Sequence, residues 1–157
     1  MASESHLISG VSVGAAGNVL MGVRLLSRVA TEICNGKLRP YGVSAVQYSL
    51  LEVIDRTEPT TRAALARVEQ LDKSTLTRDL KSILIEGWVH EVREGANGRS
   101  RPLALTKSGE QVLHDAKSAW LAAQIELRSV LGQEGFSALS ATVERIARMS
   151  KRTPTGR

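Results

Sequence analysis

The stretch LDKSTLTRDL, residues 71–80, decides how this chain is read. Wound at 100° per residue, the segment 73–86 gathers Leu76, Leu80, Ile83 and Leu84 on one side. Ser74, Thr75, Arg78, Lys81 and Ser82 gather on the other, with Thr77 at the margin. The apolar stripe predicts a helix lying on a core. The opposite face carries small hydroxyls near the N-terminus, then two cations. Asp72 or Ser74 is the expected cap, and Gly87 the expected glycine just past the end.

Upstream, Thr61 is placed to cap a short helix through Val68, with Leu65, Ala66 and Val68 facing inward. Downstream, Trp88 to Arg93 reads as a short strand. Asn97-Gly98 suits a type I′ hairpin turn, and Leu103 to Leu105 is the return strand. Short helix, tight turn, hydroxyl-and-arginine helix, glycine and basic hairpin, in that order, predict a winged helix-turn-helix within a mainly α fold.

Further out, Val19, Val23, Leu26, Val29, Ala30 and Ile33 keep helical spacing over about 18–38, and Asn35-Gly36 is a stop signal. Ser44 and Gln47 form an S-x-x-Q capping box for a helix whose stripe is Val46, Leu50, Leu51 and Ile54. Glu58-Pro59-Thr60 breaks it. Thr106 caps a long helix with the stripe Val112, Ala116, Ala119, Trp120, Ala123 and Leu127. Gly132 and Gly135 mark a break before a last helix with Phe136, Leu139, Val143, Ile146 and Ala147. The expected division is an N-terminal arm and first dimerisation helix over 1–43, and a DNA-binding core over 44–106. A linking helix and C-terminal dimerisation helix follow over 107–150, and a disordered basic tail over 151–157.

The composition fits this plan. The 157 residues suffice for one domain with a proper core, and only 3% are aromatic, so the core must be aliphatic. The net charge of +5 favours a polyanionic partner, but the excess is spread over the chain, so placement of individual cations matters more than their number. One cysteine, Cys34, excludes an intramolecular disulfide and a multi-cysteine metal site, and suits a reducing cytoplasm. The uncharged run Leu7 to Val23 lacks a positive start, so it reads as the beginning of a buried helix rather than a signal peptide.

A helix entering a major groove needs small side chains near its N-terminus and an arginine able to make two hydrogen bonds to a guanine edge. Ser74, Thr75, Thr77 and Arg78 supply these. Lys73 and Lys81 are placed as point charges for the phosphate backbone. Arg93, Arg99 and Arg101 surround the hairpin turn, and Arg99 is the candidate for a narrow minor groove. The terminal helices and the long helix carry more apolar stripe than the small core can cover, which points to a two-fold partner.

The motifs STLTR, EGWV, GRSR and LTKSGE together resemble the MarR family of bacterial winged-helix regulators, from about Leu25 through the last helix. The resemblance implies a homodimer whose first and last helices interlock with part of the long helix. It implies a pseudo-palindromic operator, usually repression, and often a small phenolic or otherwise aromatic ligand that weakens DNA binding. By position, Ser74, Thr75, Thr77 and Arg78 match the family's recognition helix, and Arg99 and Arg101 its wing. The chain departs at Asn97, where the family commonly has an aspartate that orients the wing arginine.

Other features point elsewhere with less force. Cys34 invites a redox-sensing alternative, but only Lys37 lies near enough in sequence to activate it. His6, His90 and His114 match no ligand spacing, and neither a metal nor a cofactor is expected. Tyr48, Trp88 and Trp120 read as core, with Trp120 a candidate border of an effector pocket. No nucleophile elbow or other catalytic constellation is present, so no enzyme activity is expected. A winged helix serving only as a protein-interaction module is the rival reading, and Ile85, near the polar face, is the residue that leans toward it.

Overall fold

The computed structural model describes residues 18–68, 73–92 and 101–152, and for Lys73, Ser150, Lys151 and Arg152 the backbone alone. The elements run α1 (Val19–Leu38), a 3-10 turn (Arg39–Tyr41), α2 (Ala45–Thr57), α3 (Arg62–Val68), α4 (Lys73–Ile85), β1 (Val89–Glu91), β2 (Leu103–Leu105) and α5 (Lys107–Arg152). This is the mainly α winged helix-turn-helix that the sequence predicts. The core joins Leu38, Val43, Tyr48, Leu50, Leu51, Val53, Ile54, Leu65, Leu76, Leu80, Ile83, Trp88, Val89, Leu103, Leu105 and Ala116, so all five α-helices and both strands contribute to one cluster.

Local capping fixes most boundaries. The Asn18 side chain accepts from the Met21 amide to start α1. Ser44 Oγ accepts from the Gln47 amide while Gln47 Oε1 accepts from the Ser44 amide, which is the expected capping box on α2. Thr61 Oγ1 accepts from the Ala64 amide and starts α3. Gly87, at φ 71, ends α4: its amide donates to the Leu84 carbonyl and the Trp88 amide to the Ile83 carbonyl. That pair of bonds is a Schellman motif, and Trp88 and Ile83, its apolar partners, are both buried. Of the two cap candidates for α4, Ser74 lies inside the helix, and Asp72 lies outside the described residues, as do Asn97-Gly98 and 153–157; of the expected tail 151–157, Lys151 and Arg152 continue α5 instead.

The strands pair antiparallel, with Val89 opposite Leu105 and Glu91 opposite Leu103. The hairpin is tied back to the end of α2 by an isolated bridge. There the Thr60 amide donates to Leu103 and the Leu103 amide to Thr60, at 3.0 and 2.6 Å. Thr106 starts α5 by accepting from the Gly109 amide, and its hydroxyl donates to the Gly87 carbonyl at 2.7 Å, so the end of α4 and the start of α5 share one residue.

Several expectations about burial change. Val46 on α2 is 45% exposed and Val68 on α3 is 55% exposed, because each helix turns only one narrow stripe to the small core and these positions fall beside it. Tyr48 and Val53 are buried in their place on α2. The run expected to begin a buried helix does so only in part: residues 7–17 lie outside the described residues, and Val19 and Val23 on α1 are exposed. Helix α1 packs against α5, and along it Leu25, Leu26, Val29, Ala30 and Ile33 are half-buried. On α5 the break falls at Gly132, whose φ of 66 and ψ of 171 leave the helical region, while Gly135 stays within the helix. Among the described residues no helix is long and apolar enough to cross a membrane.

Candidate nucleic-acid interface

Helix α4 rests on α2 and α3 through Leu76, Leu80 and Ile83, each at most 3% exposed. Ser74, Thr77, Arg78, Lys81 and Ile85 are exposed, while Thr75, Asp79, Ser82 and Leu84 are half-buried. The outward face is therefore turned toward Thr77 relative to the expected one, and Thr75 and Ser82 sit at its edge. The rotation has a cause. Gln47 Nε2 donates to Ser82 Oγ at 3.2 Å, and Ser82 Oγ donates to the Asp79 carbonyl at 2.7 Å. One carboxamide thus closes the cap of α2 and holds the middle of α4.

Arg78 points outward: its side chain is 77% exposed and its Nε lies 3.3 Å from Asp79 Oδ1. The contact uses Nε, so the two terminal nitrogens are not engaged by it. Lys81 lies one turn on, on the same face. Lys73 opens the helix, with its side chain outside the described residues. A face of this kind presents one fork-shaped donor and a point charge beside small hydroxyls, the set that base edges and phosphates require.

The wing tip, with Arg93 and Arg99, lies outside the described residues. Its base is described. Glu91 on β1 accepts from Arg62 Nη2 through Oε1 at 2.6 Å and from Arg101 Nη1 through Oε2 at 3.0 Å. The Arg62 hydrogen bond, then that from Arg101, holds the Glu91 carboxyl below the ordinary carboxylate range. So a carboxylate does meet a wing arginine here, from β1 rather than from position 97. The sequence reading missed Glu91 and Arg62, although an acid in a strand opposite the return of a basic hairpin is a visible cross-strand signal.

Other singled-out residues fall away from this face. Cys34 is 4% exposed, with Gln124 Nε2 at 4.0 Å from its sulfur. Burial first, and the charge of Glu126 second, push its thiol pKa up, which opposes thiolate formation. Lys37, its one basic neighbour in sequence, is paired with Glu126 at 2.8 Å. Tyr48 and Trp120 stack with ring centroids 4.8 Å apart, Tyr48 buried and Trp120 half-buried, so both serve the α2–α5 packing.

Helices α3 and α4 followed by the antiparallel β1–β2 pair define a winged helix-turn-helix protein. With α1 and α5 flanking that core, the chain has the fold of the MarR-family regulators and resembles them in its motifs. The M. tuberculosis transcriptional regulator MosR in complex with DNA superposes with a TM-score of 0.71 at 25% identity, over 85% of this chain and 96% of that one. The transcriptional repressor CouR bound to p-coumaroyl-CoA gives 0.74 at 18% identity, over 88% of this chain and 98% of that one. A MarR mutant from E. coli complexed with operator DNA gives 0.69 at 21%, over 82% and 94%. In sequence, the uncharacterized HTH-type transcriptional regulator YwoH of Bacillus subtilis is 26% identical over 114 residues, 73% of this chain and 82% of that protein. No family model matches the chain.

Proposed function

We propose that this chain is a sequence-specific DNA-binding transcription regulator without catalytic activity, acting in the cytoplasm. The observation that carries the reading is the outer face of α4, where Ser74, Thr77, Arg78 and Lys81 are exposed above a fully buried Leu76–Leu80–Ile83 stripe. Arg78 contacts bases, Lys73 and Lys81 contact phosphates, Ser74, Thr75 and Thr77 allow close approach, and Arg99 and Arg101 belong to the wing. The resemblance to regulators described in complex with DNA supports this assignment.

The regulator acts as a homodimer on a pseudo-palindromic operator. Val19, Leu20, Met21 and Val23 on α1 and Ile125, Val130, Val143, Ile146 and Met149 on α5 are all more than half exposed in the single chain. An apolar surface on two flanking helices is what a two-fold partner covers, and two copies of α4 then meet successive major grooves. Repression, and release by a small aromatic or phenolic effector, complete the proposal; CouR bound to p-coumaroyl-CoA is the similar protein that supports a ligand of that kind. A ligand acts by binding unequally to two spacings of the winged cores.

A second reading, a protein-interaction module without DNA affinity, draws on Ile85, which is 72% exposed on the same face. Titration with the duplex flanking the protein's own gene, at several salt concentrations, decides between them. Sequence preference with steep salt dependence supports the regulator, and the absence of both supports the module.

A further inference from the structure

Arg62, the first residue of α3, stands between two features. On one side its Nη2 is held by Glu91 Oε1 at 2.6 Å. On the other it lines a surface groove of about 340 Å³ together with Thr77, Leu80, Lys81, Leu84 and Ile85 of α4. Glu91 in turn holds Arg101 through its second oxygen at 3.0 Å. Arg101, Arg62 and Lys81 are thereby placed as neighbours along one edge, although they belong to the return of the hairpin, α3 and α4. Glu91 is 29% exposed, against 43% for Arg62 and 73% for Arg101, so the acid sits inside and the two guanidinium groups outside it.

Each contact engages a single nitrogen of a guanidinium that carries five N–H donors. An arginine held this way keeps donor capacity for a phosphate and loses part of its rotamer freedom in advance. The same acid also spans the join between hairpin and core. Next to it the Val92 amide donates to the Pro102 carbonyl at 2.7 Å and the Leu103 amide to the Thr60 carbonyl at 2.6 Å. We propose that Glu91 is a positioning residue that sets Arg62 and Arg101 as a paired contact for one DNA strand and fixes the base of the wing relative to α4. This rests on the DNA-binding reading above. It adds Arg62 to the interface, and it gives the chain, from β1, the orienting carboxylate that position 97 lacks.

The test is binding of full-length wild type, Glu91→Gln and Arg62→Gln to two duplexes, the DNA flanking the protein's own gene and a scrambled duplex of equal composition. Loss of a negative charge alone raises affinity for both duplexes by the same factor. Loss of positioning lowers the ratio between them. Glu91→Gln is expected to cut that ratio by roughly 5- to 10-fold, the low end of the cost of one mismatched base pair, with affinity for the scrambled duplex equal or higher. Hydrogen exchange at the Leu103 and Val92 amides, measured without DNA, is expected to speed up. Arg62→Gln is expected to weaken binding to both duplexes by a similar factor and to flatten the log–log salt slope by about one, which keeps the proposal testable if Glu91→Gln lowers stability. An unchanged ratio in Glu91→Gln together with an unchanged affinity and salt slope in Arg62→Gln, with wild type binding normally, overturns this inference alone. Wild type that binds neither duplex overturns the DNA-binding reading and the inference with it.

Discussion

Gly109 lies directly against the main-chain carbonyl of Trp88, so closely that a Cβ at position 109 would overlap the oxygen. The first turn of α5 can therefore cross the start of β1 only with glycine at this point. The Trp88 carbonyl also accepts from the Thr106 amide at 3.0 Å, and the Thr106 hydroxyl reaches back to Gly87. This junction fixes where the long helix leaves the winged core.

Gly109→Ala is accordingly expected to destabilise the protein by about 1–3 kcal/mol, the usual range for forcing atoms into a packed site. A thermal melt would show a fall of several degrees. An unchanged melting temperature would mean that α5 shifts freely at its base.

The cap of α2 offers a graded check. Ser44→Ala removes the acceptor for the Gln47 amide and is expected to cost about 1 kcal/mol, whereas Ser44→Gly should cost only a few tenths, since glycine lets water reach the end of the helix. Urea denaturation curves for the two variants should be clearly ordered; equal midpoints would contradict the capping account.

Cys34 should behave as an inert thiol. Its pKa is raised, so the neutral form persists at neutral pH and its contribution to stability is lost only as pH rises through the folded-state value. Iodoacetamide should alkylate native protein far more slowly than urea-unfolded protein at neutral pH, and peroxide should leave DNA affinity unchanged. Rapid native alkylation would revive the redox alternative.

Glu91 titrates in the opposite sense. Its folded pKa is depressed by Arg62 first and Arg101 second, so the bridge is intact above the unfolded carboxyl pKa and is lost as pH falls through the folded value. NMR of the side-chain carboxyl should give a midpoint below the ordinary glutamate range, moving up in Arg62→Gln. A midpoint indifferent to that substitution would show that the ion pair does not form in solution.

Much of this was legible in the residues, for identifiable reasons. Ser44 with Gln47, Thr61, Gly87 and Thr106 are local signals whose partners lie within a turn, and each forms the expected hydrogen bonds. The direction of the α4 face was less legible, because it depends on Gln47 meeting Ser82 from 35 residues away. Arg62 was missed for the same reason: its pairing with Glu91 spans 29 residues and is set by how the hairpin folds onto α3. Val46, Val68, Val19 and Val23 were placed inside because periodicity marks an apolar position without saying whether a core or a partner lies beneath it.

The central claim is that the exposed face of α4 reads DNA. Its most direct test is a salt-varied titration of wild type, Arg78→Ala and Lys81→Ala against the duplex flanking the protein's own gene. Arg78→Ala should lose about 1–3 kcal/mol of binding and relax base preference, while Lys81→Ala should weaken all sequences alike and lower the salt slope by about one. Two variants that bind like wild type, in affinity, preference and slope, would contradict it.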